Sequence, residues 1–296
     1  MRCGYAAIVG RPNVGKSSLL NAFVGEKAAI VSPRPQTTRN MISGIRNIPG
    51  AQIIFLDMPG LRKGHRAIDE FMSFEASRSI EMADVAVVVI EPKSTPETEA
   101  EVLRRLDGCR GKPVFLAINK VDSVSKPALL PVIEAFSRLR PFREIYAVSA
   151  LKKIGTEEML KSLSNYLPEG EPMFPEDIYT DRLEKFIAGE VIREKVFLLT
   201  RDEVPYATCV VVEEFLESEE MTVIRADICV EKQSQKGILI GKGGSMIKKV
   251  GESARRELER NLGRKLYLDL RVKVKEGWSD DPSVMRSLGY VKEKKH

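Results

Sequence analysis

The feature that most constrains the fold is the loop G-R-P-N-V-G-K-S at residues 10–17. An apolar run at residues 5–9 precedes this loop, and a run with helical spacing at residues 18–24 follows it. A glycine loop between a strand and a helix brings backbone N–H groups and a positive helix end to one point. Phosphate oxygens bind at such a point, so the loop predicts a P-loop nucleotide-binding fold rather than a chance turn.

The residues of this phosphate loop, residues 10–17, have distinct expected roles. Lys16 is expected to reach the outer phosphates, and the Ser17 hydroxyl is expected to hold Mg²⁺. The other residues expected to contact the nucleotide here are Gly10, Arg11, Pro12, Asn13, Val14, Gly15 and Ser18.

The composition favours a soluble protein with about two domains. The chain has 296 residues, of which 43% are hydrophobic, and no apolar run approaches the ~18 residues of a membrane span. The four cysteines show no C-x-x-C pairing, which argues against both a disulfide framework and a zinc site. The first strand begins near Met1, so no signal peptide is expected, and the cytoplasm is the expected compartment.

A second motif, D-M-P-G at residues 57–60, follows the predicted strand at residues 52–56. A carboxylate at the end of a buried strand beside a phosphate loop is placed to hold Mg²⁺ through water, which is the role expected of Asp57. Gly60 is expected to bring its N–H close to a terminal phosphate. Met58 and Pro59 complete this predicted part of the nucleotide site.

A third motif, N-K-V-D, follows the apolar run at residues 113–118 and suits guanine. The Asp122 carboxylate can accept from the ring N–H and the exocyclic amine of guanine, whereas adenine would leave a buried carboxylate unsatisfied. Lys120 is expected to lie across the base, and Asn119 to tie the loops together. Backbone N–H groups that could meet the guanine carbonyl follow the next strand, at Ser149, Ala150 and Leu151.

The first half of the chain alternates strands with helices, which predicts an α/β domain over residues 1–168. Such alternation gives an open, mostly parallel sheet flanked by helices, with ligands at the carboxyl ends of the strands. Each motif described above follows a predicted strand. Residues 169–180 are rich in proline and acidic residues, which predicts a linker or a strap on the surface.

Residues 181–296 have a different pattern, which predicts an α+β domain. A long helix at residues 181–198 and two strands are followed by I-L-I-G-K-G-G, a basic helix and a final strand. An apolar triplet that runs into G-x-x-G between two helices indicates a KH module, in which a nucleic-acid backbone approaches the glycines. The residues expected to bind RNA are Ile240, Gly241, Lys242, Gly243, Gly244, Lys248 and Lys249.

The charge distribution within this second domain supports RNA binding. Residues 232–275 contain 13 basic and 4 acidic side chains, a balance of +9, whereas residues 202–231 contain 1 and 9, a balance of −8. One face should therefore be strongly positive and able to hold phosphates. The alternative is a solvated helix face without a nucleic-acid partner.

The order of G-R-P-N-V-G-K-S, Q-T-T-R, D-x-P-G, N-K-V-D, S-A-L and I-G-K-G-G resembles the Era-like family of bacterial GTPases over nearly the whole chain. The resemblance implies a Ras-like G domain followed by a type-2 KH domain. It also implies GTP hydrolysis to GDP, binding to the 3′ end of 16S rRNA and a role in assembly of the small (30S) ribosomal subunit. A monomer and peripheral attachment to the inner membrane are further expectations.

Catalysis is expected to lack one side chain that Ras-like enzymes use. The position of their water-orienting glutamine is Leu61 here, so turnover should rest on Mg²⁺, Lys16, the Gly60 N–H and Thr38. Thr38 is also the expected third metal ligand beside Ser17 and Asp57, with Thr37 as the open alternative. Asn13 is shared with related GTPases that bind K⁺ beside the phosphates; a loop-stabilising role is the equal alternative.

Two other functions remain open from the sequence. One is a constitutive RNA-binding scaffold whose nucleotide site is only structural. The other is a GTPase that acts on protein partners and whose KH domain does not bind RNA. His65 lies in the segment after Gly60, and a solvated loop position is expected for it rather than a catalytic one.

Overall fold

The structure, a computed structural model, describes residues 1–32, 34, 37–60, 64–109, 111–218 and 220–291. Contacts between Cα atoms divide the chain into a first unit, residues 1–63 with 72–181, and a second unit, residues 64–71 with 182–296. This division assigns residues 169–181 to the first unit and residues 64–71 to the second. The domain limits expected at residues 168 and 181 stay a prediction.

Strands and helices alternate through the first part of the chain. In chain order they are β1 (Arg2–Val9), α1 (Lys16–Val24), β2 (Ile42–Ile48), β3 (Ala51–Asp57), α2 (Ala67–Met82), β4 (Val85–Ile90), α3 (Ala100–Arg105), β5 (Val114–Ile118), α4 (Leu130–Leu139), β6 (Ile145–Ala147) and α5 (Thr156–Ser164). The predicted α/β class is confirmed.

The sheet of the first unit has the strand order β2-β3-β1-β4-β5-β6. Strand β2 runs antiparallel to β3, and the other neighbouring strands are parallel. The chain leaves β1 between β3 and β4, where the strand order changes direction. Ligands of open α/β sheets bind at this kind of position, so the fold places the phosphate loop at the expected crevice.

The central strands are buried along their whole length, as expected for a parallel sheet covered on both faces. One apolar cluster joins β4 and β5 to their flanking helices, and it includes Met58, which is fully buried. The side chain of Met58 belongs to this apolar core, which explains how the site accommodates an apolar residue at this position.

The segment at residues 169–180 is a strap on the edge of the first sheet. Gln52 Nε2 donates to the Phe174 carbonyl at 2.8 Å, and Gln52 Oε1 accepts from the Phe174 N–H at 3.0 Å. Thr180 Oγ1 donates to the carbonyl of Ser43 in β2 at 2.7 Å. The sequence left open whether this segment is a linker or a surface strap. These hydrogen bonds to the sheet are those of a strap.

The elements of the second unit are α6 (Glu184–Leu199), β7 (Cys209–Glu217), β8 (Thr222–Val230), α7 (Gln233–Ile240), α8 (Ser245–Leu262), β9 (Leu266–Val274) and α9 (Pro282–Ser287). Its three-stranded sheet has the order β7-β8-β9. Strands β7 and β8 are antiparallel, and β8 and β9 are parallel. The helices α6 and α8 contribute buried apolar residues to the core of this unit.

The order α-β-β-α-α-β through β9 is the arrangement expected of a type-2 KH domain, and the predicted fold class of this half is confirmed. No helix within the described part of the chain combines the length and apolar character required to cross a membrane.

Candidate functional site

The phosphate loop has a backbone that depends on glycine at one close approach. Gly15 has φ of 93° and caps the start of α1. A Cβ at this position would overlap the side-chain amide nitrogen of Asn119. Asn13 also has a positive φ, 67°. The loop is therefore held in a conformation that presents backbone N–H groups to one point, as a phosphate site requires.

The charge of Lys16 lies inside this loop. Its side chain is buried, and Nζ donates to the Arg11 carbonyl at 3.0 Å. Burial lowers the pKa of Lys16, an effect that the nearby carboxylates of Asp57 and Glu99 oppose. Burial removes water from the ammonium group, and phosphate oxygens would replace that water as its partners. The position therefore suits an anionic ligand.

Three oxygen-bearing side chains meet beside the loop. Ser17 Oγ donates to Asp57 Oδ2 at 2.6 Å and lies 2.9 Å from Thr38 Oγ1, which is itself 3.3 Å from Asp57 Oδ2. Asp57 Oδ1 is buried and has no hydrogen-bond partner among the described residues. Burial raises the pKa of this carboxyl, against the opposite effects of Lys16, Ser17 and Thr38. Hydroxyl and carboxylate oxygens around a buried, unsatisfied carboxylate fit a hard divalent cation such as Mg²⁺.

The structure separates the two threonines that the sequence left open. Thr38 contacts Ser17 and Asp57. Thr37 Oγ1 instead donates to the Arg34 carbonyl at 2.9 Å. The geometry therefore favours Thr38 for the metal position.

The base-recognition motif is tied to the phosphate loop by hydrogen bonds. Asn119 Nδ2 donates to the Val14 carbonyl at 2.9 Å, and Asn119 Oδ1 accepts from the Ala150 N–H at 3.0 Å. Asp122 Oδ1 accepts from Ser149 Oγ at 2.6 Å. The structure thus brings together the residues predicted to recognise guanine.

Lys120 has a second attachment that the sequence did not indicate. Its Nζ donates to the Asn13 carbonyl at 2.6 Å and pairs with the Glu91 carboxylate. Lys120 itself has φ of 64°, so its backbone is held in the left-handed region. The side chain is half-exposed and borders the nucleotide cavity.

A cavity of about 380 Å³ opens over the phosphate loop. Predicted residues in its wall are Pro12, Asn13, Gly15, Lys16, Ser17, Ser18, Thr38, Gly60 and Lys120. Other predicted site residues do not line it; they are Gly10, Arg11, Val14, Asp57, Met58, Pro59, Asn119, Asp122, Ser149, Ala150 and Leu151. The cavity therefore covers the phosphate side of the site, and the predicted guanine-recognition residues are grouped around Asn119.

The sequence reading missed four further residues of the cavity wall. They are Ile30, Val31, Ser32 and Arg34. The sequence feature that could have indicated these residues is the apolar pair Ile30 and Val31, between α1 and a proline-rich loop. This pair belongs to no recognised motif. The predictions that involve Gln36 and Leu61 lie outside the described residues.

The G-x-x-G segment of the second unit forms the loop between α7 and α8, called here the KH loop, residues 241–244. Gly241 has φ of 73°, and a Cβ there would lie 2.9 Å from the Met246 backbone N. Gly243 and Gly244 also have positive φ, but an added Cβ at either would meet no atom within 4 Å. Gly241 is thus required by the protein itself, whereas the space over the other two is open to a ligand.

The other predicted RNA-binding residues lie on both sides of this loop. Lys242, Lys248 and Lys249 are exposed, and Ile240 is half-buried against the core. A groove of about 390 Å³ runs between α8 and β9 in the same unit. Its walls include residues that the sequence reading missed, namely Ile247, Gly251, Glu252, Arg255, Leu266, Tyr267, Leu268 and Leu270. The spacing of Ile247, Gly251 and Arg255 along one helix face was the available signal.

Comparison with known proteins supports the predictions made for both halves of the chain. Residues 5–120 match a family described as 50S ribosome-binding GTPase, and residues 203–279 match the KH domain family. The chain is 48% identical to the GTPase Era of Geobacter metallireducens over 293 residues, which covers 98% of each chain. It is 42% identical to the GTPase Era of Lactobacillus helveticus over 292 residues, which covers 98% of this chain and 97% of the relative.

Two solved structures share the complete architecture. A variant of Aquifex aeolicus Era bound to GDP and AlF4⁻ is 41% identical, with a TM-score of 0.94 over 99% of this chain and 100% of that one. An Era structure with MgGDPNP and nucleotides 1506–1542 of 16S ribosomal RNA gives the same identity, coverage and TM-score. The phosphate loop, the guanine motif, the KH loop and these full-length matches together show that the chain belongs to the Era family of GTPases, enzymes that bind and hydrolyse GTP.

Proposed function

We propose that this GTPase is a nucleotide-operated switch that binds single-stranded RNA at the 3′ end of 16S rRNA during assembly of the small ribosomal subunit. The observation that carries the proposal is the full-length likeness, at a TM-score of 0.94, to an Era structure that holds both MgGDPNP and nucleotides 1506–1542 of 16S ribosomal RNA. The proposal assigns the same class of RNA to the KH loop and groove of this chain.

The second unit has the groups that such an RNA needs. The exposed Lys242, Lys248 and Lys249 are placed to neutralise phosphates beside the open face of the KH loop. Tyr267, a residue that is 53% exposed, lies in the wall of the neighbouring groove and offers a surface on which a base can stack. A positively charged loop beside a groove with an exposed aromatic ring suits an unpaired strand better than a duplex.

The first unit has the groups that GTP needs. The backbone of the phosphate loop and Lys16 would hold the phosphates, and Asp122 would select guanine. Ser17, Thr38 and Asp57 would hold Mg²⁺, which when bound neutralises charge on the phosphates. Because Leu61 has no group to orient water, we expect slow turnover that depends on Lys16 and on backbone donors such as the Gly60 N–H.

The test measures binding of an RNA with the 3′-terminal sequence of the small-subunit rRNA, with GDPNP and with GDP bound. We expect tighter binding in one nucleotide state, and weaker binding of an RNA of equal length and scrambled sequence. Equal binding of both RNAs in every state would contradict the proposal and favour a KH domain that does not read RNA.

A second measurement separates the switch from a constitutive scaffold. We expect multiple-turnover phosphate release with GTP and none above background with ATP. Nucleotide binding without turnover would favour a structural nucleotide site.

Asn13 has two proposed roles, which predict different effects of K⁺ on the rate of GTP hydrolysis. Asn13 is exposed and lines the phosphate cavity, where its side chain is placed either to hold K⁺ or to stabilise the loop. Replacing Na⁺ with K⁺ in the turnover assay should raise the rate if the first role holds. An unchanged rate would leave loop stabilisation as the role.

We also propose a cytoplasmic monomer with peripheral attachment to the inner membrane, on the basis of the family resemblance. Sedimentation of the protein and flotation with vesicles of bacterial lipids test these two points separately.

A further inference from the structure

A buried carboxylate in the first unit has no role in the mechanism described above. Glu99 lies just before α3, and its side chain has no solvent exposure. Its Oε2 atom has no hydrogen-bond partner among the described residues. Taking a carboxylate out of water is unfavourable unless it is paired, so an apolar side chain would be expected here if the position served only to fill the core.

The pairing partner of Glu99 belongs to the phosphate loop. Arg11 Nε donates to Glu99 Oε1 at 2.9 Å, and Ser94 Oγ donates to the same oxygen at 2.6 Å. The backbone carbonyl of Arg11 accepts from Lys16 Nζ at 3.0 Å. A short path therefore connects the buried carboxylate, through Arg11, to the lysine that faces the phosphates.

The connection between β4 and α3, residues 91–99, also reaches the other side of the phosphate loop. Ser94 Oγ accepts from the Glu91 N–H at 3.2 Å, and the Glu91 carboxylate pairs with Lys120. Lys120 Nζ in turn donates to the carbonyl of Asn13 at 2.6 Å. The same segment thus holds the phosphate loop on two sides.

We infer that Glu99 is a positioning residue of the nucleotide site, which acts through Arg11 to hold the phosphate loop in its binding conformation. Asn13 has a positive φ, which residues other than glycine rarely adopt, so contacts from outside the loop help this conformation to persist. Glu99 does not touch the nucleotide in this scheme. The inference rests on the nucleotide site proposed above.

The experiment compares release of a fluorescent GDP from the full-length protein and five variants. Glu99→Gln keeps the shape of the side chain and removes its charge, and Arg11→Met removes the partner. We expect each to speed GDP release on the order of tenfold, and the double variant to match the single ones because both act through one contact. The matched control is Glu97→Gln, an exposed carboxylate of the same connection, which should leave release unchanged.

Two readouts distinguish positioning from a purely structural role. Arg11→Met leaves the buried Glu99 carboxylate without its partner and should lower the melting temperature, whereas the double variant removes both charges and should recover much of it. Under our inference, GDP release from the double variant stays fast although its melting temperature recovers. At saturating GTP, the hydrolysis rate of Glu99→Gln should stay within about threefold of the parent, because the loss lies in binding.

Two results would overturn the inference. One is a double variant that recovers slow GDP release together with its melting temperature. The other is Glu99→Gln behaving like Glu97→Gln. Lys16→Ala serves as the reference for the site itself: if it retained GDP as the parent does, the nucleotide site would be wrong, and the inference would fall with it.

Discussion

The two glycine loops of this protein precede helices and are suited to phosphate, yet they use glycine for different reasons. In the phosphate loop, a Cβ at Gly15 would overlap the Asn119 amide, so the glycine permits one part of the protein to pack against another. In the KH loop, Gly241 has a similar internal role, but a Cβ at Gly243 would meet no atom within 4 Å. Other residues of the protein pack closely against the phosphate loop, whereas one face of the KH loop is open to a partner.

The lysines of the two loops differ in the same way. Lys16 is buried and hydrogen-bonded within its loop, whereas Lys242, Lys248 and Lys249 are exposed. A desolvated charge interacts strongly with phosphate and is little screened by salt, while exposed charges are screened within about 10 Å at 0.1 M salt. The first loop should therefore give strong and specific nucleotide binding, and the second should give salt-dependent attachment to RNA.

The largest effect should come from Asp122→Asn, which tests the specific nucleotide binding expected of the first unit. We expect GTP affinity to fall by about 100-fold, because an amide cannot accept from both guanine N–H groups and leaves them unsatisfied. Xanthosine triphosphate should bind the variant better than GTP, since its added carbonyl can accept from the new amide. Titration with both nucleotides measures this, and an unchanged GTP affinity would contradict the role of Asp122.

Lys16→Ala should have the next largest effect. We expect nucleotide affinity or hydrolysis to fall at least about tenfold, by a similar factor at low and high salt, because the lost charge is desolvated. RNA binding by the nucleotide-free variant should match the parent. A variant that hydrolyses GTP normally would show that the phosphate loop is misassigned.

The double substitution Lys242→Asp with Gly243→Asp tests the salt-dependent RNA binding expected of the KH loop. It removes a positive charge and adds negative ones beside phosphate, so RNA affinity should fall about tenfold at low salt and by less at high salt. The fold should persist, since the loop is exposed and aspartate tolerates the left-handed backbone. RNA affinity across a salt series, a thermal melt and a basal GTPase assay measure these points.

The matched control for this double substitution is Arg201→Asp, which reverses an exposed charge outside the KH loop. It should change RNA affinity less than the double substitution does. RNA binding by the double variant equal to that of the parent would refute the KH assignment.

The smallest effect should come from Gly243→Ala compared with Gly241→Ala. Alanine at Gly243 takes up a left-handed conformation at a cost of about 1 kcal/mol, and RNA binding should fall less than about threefold. Alanine at Gly241 would in addition lie 2.9 Å from the Met246 backbone N, so its melting temperature should fall further. Equal melting temperatures would show that the two glycines are not used differently.

Most elements of the fold could be predicted from the sequence, and their ends less well. The buried strands β4 and β5 follow from short runs of apolar residues. The helix α1 was expected from residue 18 and begins at Lys16, because Gly15 caps it. The helix α6 was expected from residue 181 and begins at Glu184. Helix ends depend on single backbone conformations, which periodicity does not report.

Local sequence was enough to predict the phosphate loop, the D-M-P-G turn, the guanine motif and the KH loop, because each depends on residue types at short, fixed spacing. It also determined that each follows or joins a regular element, which places them at strand ends and between helices. Local steric and hydrogen-bonding rules suffice for such features.

Contacts between residues that are distant in the sequence became visible with the folded structure. Arg11 and Glu99 are separated by 88 positions and Asn119 and Val14 by 105, yet each pair is hydrogen-bonded. The contacts of Thr38 with Ser17 and Asp57 and the strap at residues 169–180 likewise join residues that are distant in the sequence. The physical reason is that a buried polar group must find its partner wherever the folded chain places one, and no local pattern records that partner.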